Sequence, residues 1–456
     1  MNYSRSSQLS SRFLLNIRGL ATIVFALSVF CAQAKYDAVR FTLKNGLQVI
    51  CIKKKSAPII FFSIWYCCGS KNDAISKSGV AHYLEHMAFS SNKMEFSELL
   101  EDIGALNNAF TSINTICFHE VIPKEDIEMI FTHEAMRMVS LNIDNNVFQS
   151  EKGAILEERS MQVDNDPDGA MQESTLANIF NRETGGIVVI GWKHEIETII
   201  PKDLQEFHDK WFAPNNALIV ISGDFEFDHI KKLAEKYFEK IPPKHIETPN
   251  EVNGVFPETS VCLKEIEYGS PKNGSSSAVE YVYRVPFSSR KNLRKSIALD
   301  VAIMALNQPA FFVKKMLKDV TNCATRVAFG YVDRVFAQDI VTFEISASSI
   351  DAVHDSENMW RYLRKRLLYT GISQSELDAV KLQYLVSLAY KKDDIVNMSN
   401  HFGWLLTGGY SLEEIQEIDD MVQSITAKEC NDLLRDVFSQ EPYAISRIVP
   451  KGYDRE

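Results

Sequence analysis

Apolar residues alternate with polar ones at Val39, Phe41 and Leu43, and again at Leu47, Val49 and Cys51, on either side of Lys44-Asn45-Gly46. A period of two around an Asn-Gly pair predicts a strand hairpin with a tight turn, because glycine takes the positive φ such a turn needs. Residues 59–68 are more densely apolar, which predicts an interior strand. The period then lengthens to that of a helix over 79–89, at Ile127, Ile130, Phe131 and Met138, and over 146–161. Pro201 opens a further helix at a position where its missing N–H costs nothing, and this helix leads through Pro214-Asn215-Asn216 into a strand over 217–222. A helix over 227–241 stops against Pro242-Pro243.

Residues 242–260 contain Pro242, Pro243, Pro249 and Pro257 with little apolar periodicity, which predicts a linker. Beyond it the order restarts, with strands over 261–266 and 278–285, a helix over 291–306, strands over 326–331 and 340–346, and then several helices. Helix 425–438 followed by strand 443–449 echoes helix 200–212 followed by strand 217–222. Two copies of one α+β unit, over 35–241 and 261–456, account for both the length and the echo.

The N-terminus reads as an address. Arg12 and Arg18 precede a stretch without charge over 19–32, and Ala32-Gln33-Ala34 offers small residues where a signal peptidase cuts. A signal peptide over 1–34 and export to a periplasmic or other extracytoplasmic space are expected. The apolar stretch is shorter than the roughly 20 residues of a spanning helix, and an uncleaved N-terminal anchor is the alternative. Cleavage takes 49 basic residues to 46 against 60 acidic ones, a net charge of −14 in place of −11. Nucleic acid is therefore not an expected partner, since phosphate neutralisation needs a basic face. Loss of Cys31 leaves an odd number of cysteines without a Cys-x-x-Cys pair, so neither a disulfide framework nor a thiolate zinc site is indicated.

The chemistry concentrates in Gly79-Val80-Ala81-His82-Tyr83-Leu84-Glu85-His86-Met87. Histidines at i and i+4 share one face of a helix and can present both imidazoles to one ion, with Glu85 beside it. This H-x-x-E-H order is the reverse of the commoner H-E-x-x-H. A zinc with two histidines wants a third protein ligand, and Glu85 is placed to accept a proton from a water activated there. The run from Glu151 to Glu158 places acids at i and i+7 on one helix face, with Glu157 turned away, so Glu151 and Glu158 are favoured over Glu157. On charge content alone the same run reads as a solvated acidic helix.

With GVAHYLEHMAF, EDIGALNNAFTSINT, FQSEKGAILEERSMQVDNDP, VIGWKHEIETI and WFAPNNALIVISGDF, the chain resembles the pitrilysin or insulinase-like zinc peptidases, and most the short-chain branch of processing peptidases and bacterial homologues. The resemblance runs from about residue 37 to 450 and is densest in the first half. It implies an α+β fold of two homologous domains, each a mainly antiparallel sheet with helices on one face, enclosing a chamber that admits short or unfolded peptides. It implies one Zn2+ per chain on His82, His86 and Glu158, with Glu85 as the catalytic base and Glu151 supporting a metal-binding histidine or the reaction. Asn108-Ala109 matches the edge-strand pair that holds the substrate backbone. Cys117 stands where relatives often have tyrosine, and residues 181–186 replace a His-Pro-Tyr-Gly stretch.

The second half departs further. Where complete enzymes of the family carry an Arg and, seven residues on, a Tyr that grip the substrate carbonyl, this chain places Lys318 and Thr325. The resemblance then implies a homologous metal-free subunit that supplies the pair, or a homodimer. A non-catalytic or metal-binding subunit that keeps the fold for assembly or peptide binding is the rival reading, and the complete His82, Glu85, His86 and Glu158 set argues against it.

Overall fold

The computed structural model describes residues 36–90, 93–179, 188–247, 262–268, 277–287, 292–320, 324–332 and 339–451. The expected leader, most of the expected linker (248–260) and residues 181–186 lie outside the described residues.

The hairpin forms as its pattern predicts. Strands β1 (Ala38–Thr42) and β2 (Gln48–Lys53) pair antiparallel around Gly46 at φ +92°. The chain continues through β3 (Ile59–Tyr66), α1 (Val80–Ser90), α2 (Lys93–Asp102), β4 (Leu106–Thr111), β5 (Ile116–Pro123), α3 (Ile127–Val139), α4 (Asn145–Arg159), α5 (Pro167–Ile179), α6 (Pro201–Trp211), β6 (Ala217–Gly223) and α7 (Phe227–Tyr237). The first sheet has the order β1-β2-β6-β3-β5-β4 and is antiparallel except between β2 and β6.

The second half repeats this plan with β7 (Cys262–Tyr268), β8 (Ser277–Arg284), α8 (Leu293–Leu306), β9 (Ala324–Val332), β10 (Ile340–Ala347), α9 (Ile350–Thr370), α10 (Gln374–Asp393), α11 (Ile395–Thr407), α12 (Ala427–Phe438) and β11 (Ala444–Pro450). Its sheet order is β7-β11-β8-β10-β9, with β7 and β11 as the parallel pair. Position for position β7, β11, β8, β10 and β9 match β2, β6, β3, β5 and β4. The echo read in the sequence is α6-β6 repeated as α12-β11.

Side chains of the first sheet split by parity. Val49, Cys51, Phe62, Ile64, Tyr66, Phe118, Ile219 and Ile221 face the helices of their own half, whereas Ile50, Ile52, Trp65, Cys117, Leu218 and Val220 join the core of the second half. That second face is closed by α11: Ser222 Oγ donates to Ile395 O at 2.8 Å, and Ser399 Oγ donates to Ser222 Oγ at 2.7 Å. The exchange is reciprocal, since α5 lies against the second sheet with Thr175 Oγ1 and Ser446 Oγ 2.6 Å apart and Met171 packed on Ala278 and Ile448. Burial of both faces explains why β3 reads as a continuous apolar run. Among the described residues, each half's own helices occupy one face of its sheet, and a helix lent by the other half covers the opposite one.

Candidate metal centre and active site

α1 is buried over most of its surface, and two of its polar residues are buried with it, His82 at 8% and Glu85 at 9% exposed, while His86 and Ser90 are half-buried. Polar groups taken from water in this way need partners. The loop that leads into α1 is clamped. Asp73 accepts from Gly79 N and Ala81 N at 2.7 and 2.8 Å, and Glu195 accepts from Ser78 N at 2.8 Å. Gly79 (φ +89°) and Gly191 (φ +90°) approach so closely that a Cβ on Gly79 would come within 2.7 Å of Ile190 O, which requires glycine on both counts.

α4 lies across α1. Asp144 caps its N-terminus by accepting from Asn146 N and Val147 N, Tyr83 stacks on Phe148 with ring centres 4.8 Å apart, and the Tyr83 hydroxyl donates to Phe148 O. This packing turns both acids of the i, i+7 pair toward α1 and leaves Glu157 exposed. Glu158 Oε2 sits 3.6 Å from His82 Nε2 and 3.6 Å from His86 Nε2. Glu151 Oε2 lies 3.0 Å from His86 Nδ1, and its Oε1 accepts from Ser90 Oγ at 2.8 Å. A carboxylate only accepts, so Glu151 holds a proton on His86 Nδ1, and in the neutral ring Nε2 is then the atom with a lone pair for a metal.

The donor set fits zinc. One ligand atom from each of His82, His86 and Glu158 lies within 4.8 Å of the others. The measured 3.6 Å separations are close to the roughly 3.4 Å edge of a tetrahedron with metal–ligand bonds of about 2.1 Å. Two imidazoles and one carboxylate leave one position of such a tetrahedron open, as catalytic sites require.

Electrostatics separate the four residues. Burial, helped by the neighbouring His86, lowers His82 to about 4, which keeps it neutral. Burial disfavours charge on His86 as well, but Glu158 and Glu151 outweigh it and raise its pKa. The His86 imidazole 3.6 Å away holds Glu158 below the usual carboxylate value. Burial pushes Glu85 up, against the hydrogen bond that Thr111 Oγ1 donates to its Oε2 at 2.7 Å. A raised carboxyl beside a three-ligand cluster is the arrangement of a proton-transfer group.

Thr111 belongs to β4, the edge strand of the first sheet, paired with β5 on one side only among the described residues. Asn108 and Ala109 lie on the same strand, and Asn108 Oδ1 accepts from Ala109 N at 2.8 Å. In the second half Lys318 is exposed, while the Thr325 hydroxyl donates to Ser346 O at 2.9 Å within its own sheet. Sequence reasoning overlooked Thr111, Asp73, Glu195 and two supports of Glu158. Gln162 Nε2 donates to Glu158 Oε1 at 2.7 Å, and Arg159 clamps Glu173 at 2.7 and 3.0 Å and donates to Gly191 O at 2.6 Å. Gln162, four residues beyond Glu158, was within reach of spacing rules. The others act across sequence distances that periodicity does not report.

Residues 48–191 match the family model described as insulinase, peptidase family M16, and residues 198–384 match the one described as the peptidase M16 inactive domain. The chain belongs to the M16 peptidase family. It is 25% identical over 420 residues to the zinc protease PqqE of Helicobacter pylori, covering 88% of this chain and 89% of that protein. It is 22% identical over 439 residues to the probable mitochondrial-processing peptidase subunit beta of Schizosaccharomyces pombe, covering 89% and 90%. The crystal structure of a protease from Helicobacter pylori superposes with a TM-score of 0.79 at 22% identity, over 91% of this chain and 100% of that one. Among the described residues of this M16 chain no helix is long and apolar enough to cross a membrane. Cys51, Cys68, Cys117 and Cys430 are buried and outside any disulfide.

Proposed function

We propose that this chain is a zinc-dependent endopeptidase that cleaves short or unfolded peptides within a chamber. In this reading His82, His86 and Glu158 hold one Zn2+, Glu85 is the catalytic base, Glu151 orients His86, and Asn108-Ala109 on β4 engages the substrate backbone. The observation that carries it is the convergence of His82 Nε2, His86 Nε2 and Glu158 Oε2 beside a buried, raised Glu85. Zinc, when bound, would supply Lewis acidity toward the scissile carbonyl and toward water. The chain's own residues do the rest. Glu85, steadied by Thr111, accepts a proton from the attacking water and returns it to the departing amine. The edge of β4, unpaired among the described residues, gives an extended peptide main-chain hydrogen bonds in register with that carboxylate. Mature residues 35–241 and 261–456 form the two domains about a 242–260 linker, after export and loss of 1–34.

The partner in this reading is a homologous metal-free subunit carrying an Arg/Tyr pair. Its support is that Thr325 spends its hydroxyl inside its own sheet, and that a relative over most of the chain is named as a subunit. Removing one oxyanion donor costs about 10²- to 10³-fold in rate, so the isolated chain should turn over slowly. The test is metal analysis beside hydrolysis of an unstructured peptide, with and without that partner. Wild type should hold about one zinc, Glu85→Gln should keep the metal and lose hydrolysis, and Glu158→Gln should lose the metal. Zinc lost on Glu85→Gln but kept on Glu158→Gln would reverse the two roles.

A further inference from the structure

α9 segregates its charge along its length. Its acidic residues Asp351, Asp355 and Glu357 all precede Trp360, and the stretch from Arg361 to Thr370 holds Arg361, Arg364, Lys365 and Arg366 with no acid. Trp360, Leu363 and Leu367 form its buried side. At about 100° per residue, Arg361, Tyr362, Lys365, Arg366 and Tyr369 fall within about 140° on the opposite side. All five are exposed, Tyr362 by 60% and Tyr369 by 92%. The short helix Phe312–Lys315 packs beside them, with the Arg366 guanidinium 4.7 Å from the centre of the Phe312 ring, and the exposed Lys315 and Lys318 add to the charge nearby. Two ordinary explanations of these cations fail. Basic residues in a last turn answer the helix macrodipole, but the last turn of α9 has none. Ion pairing would spend them, as it spends Arg364 on Glu441 at 2.7 Å, yet among the described residues Arg361, Lys365, Lys315 and Lys318 form no ion pair. The local excess acts on its neighbours: burial, and then the fields of Lys318 and Arg326, lower the pKa of Lys314. In a chain of net charge −11 this is a positive surface set apart from the rest.

We propose that this face of α9 docks the protein on a membrane surface rich in anionic phospholipid, with Arg361, Lys365 and Arg366 at the headgroup phosphates and Tyr362 and Tyr369 at the interface between headgroups and chains. The occupant follows from charge complementarity and shape. A peptide ligand uses a groove or a sheet edge, and the core of a protein partner's interface is depleted in lysine. A convex helix side of arginine and lysine with tyrosines among them instead suits a flat anionic surface, where basic side chains meet phosphates and tyrosine rings settle at headgroup level. Among the described residues no helix is long and apolar enough to cross a membrane, so attachment through α9 is peripheral and screened by salt. The inference uses no residue of the candidate metal site and stands apart from the peptidase reading.

The test is co-sedimentation of the full chain with vesicles of phosphatidylcholine, alone or mixed with phosphatidylglycerol. Binding is expected to the mixed vesicles only and should be lost at high salt. Each cation near such a surface contributes about fivefold to partitioning, so Arg361→Gln combined with Lys365→Gln should weaken binding about 20-fold. Tyr362→Ser combined with Tyr369→Ser should weaken it severalfold. These side chains are exposed, so thermal midpoint and zinc content should match wild type in both double variants. Lys202→Gln combined with Lys231→Gln changes the net charge equally at exposed positions elsewhere and should bind as wild type does. Absence of sedimentation with the mixed vesicles overturns the proposal, as does equal loss in the Lys202/Lys231 control or undiminished binding in either α9 variant. So does a preference for polyglutamate over vesicles, which makes the partner an acidic protein, and so does a concentration-dependent dimer that the Arg361/Lys365 variant dissociates, which puts a second copy on the face. Hydrolysis of a soluble peptide by the same preparations reports on the peptidase reading separately, so either can fail while the other stands.

Discussion

Replacement of Glu151 separates a residue that orients a ligand from one that is a ligand. Its carboxylate accepts two hydrogen bonds, from His86 Nδ1 at 3.0 Å and from Ser90 Oγ at 2.8 Å, and it is not one of the three converging donor groups. In Glu151→Gln the amide oxygen can still accept from Nδ1, and the Ser90 hydroxyl can turn to accept from the amide nitrogen. Geometry is kept and charge is lost. A hydrogen bond to a charged group contributes about 1.5–3 kcal/mol against about 0.5–1.5 for a neutral one, so the change removes on the order of 1–1.5 kcal/mol from the arrangement that presents His86 Nε2. That is roughly tenfold in zinc affinity, and Glu151→Ala, which removes the partner altogether, should approach 100-fold. Competition against a fluorescent chelator at fixed pH gives the three dissociation constants, with melts in excess chelator confirming that the apo-proteins are equally folded. An affinity for Glu151→Ala within twofold of wild type would refute the orienting role. Complete zinc loss in Glu151→Gln would make Glu151 a ligand and displace Glu158.

Gly403→Ala drives a methyl group into the buried Trp65 indole, whose Nε1 is pinned by donation to Ser63 Oγ at 3.0 Å. An overpacking cost of about 1–3 kcal/mol should lower the melting temperature by roughly 1–4 °C in a chain of this size, and an unchanged midpoint with unchanged tryptophan emission would show that α11 does not seat there. A second effect concerns pH. Glu120 and Glu134 are buried beside a single Arg137, and burial raises both carboxyls, Glu120 most strongly. A carboxyl raised on folding contributes stability that is complete below its unfolded value of 4.5 and is lost as pH rises toward the folded value. Stability should therefore fall on the alkaline side, by at most about 1.4 kcal/mol per pH unit for one proton, and Glu120→Gln should flatten the accompanying fall of melting temperature in melts from pH 6 to 9. A slope as steep in the variant would locate the proton elsewhere.

What the sequence showed of the site was what a single helix encodes. His82 and His86 share a face because they are four apart, and Glu151 and Glu158 because they are seven apart, so both pairs could be named before any contact was known. That the two faces meet depends on Tyr83 against Phe148 and on the clamps at Asp73 and Glu195, which are ordinary residues whose partners lie six to 117 positions away. The sheets behave similarly. Residues 59–68 announced an interior strand, yet what covers the second face of Trp65 comes from Gly403 and Trp404, far down the chain. Parity gives the two faces of a strand but carries no address for the element that packs on each.

The lent helices also explain how the second half can matter to the candidate metal site in the first. α4 carries Glu158 and runs on through a π-helical turn at Ser160–Asp164 into α5, which lies on the second sheet. Arg159, the residue after Glu158, grips Glu173 of α5 with two hydrogen bonds and Gly191 beside the loop into α1 with a third. One guanidinium therefore joins the third candidate ligand, the helix that bears the other two, and the helix docked on the far half. π-turns are often found at functional sites because the extra residue redirects side chains near the end of a helix, and here that redirected stretch holds Gln162 against Glu158. The position of Glu158 is in this way fixed from both sheets at once. The second half thus bears on where that carboxylate stands, through α5 and Arg159.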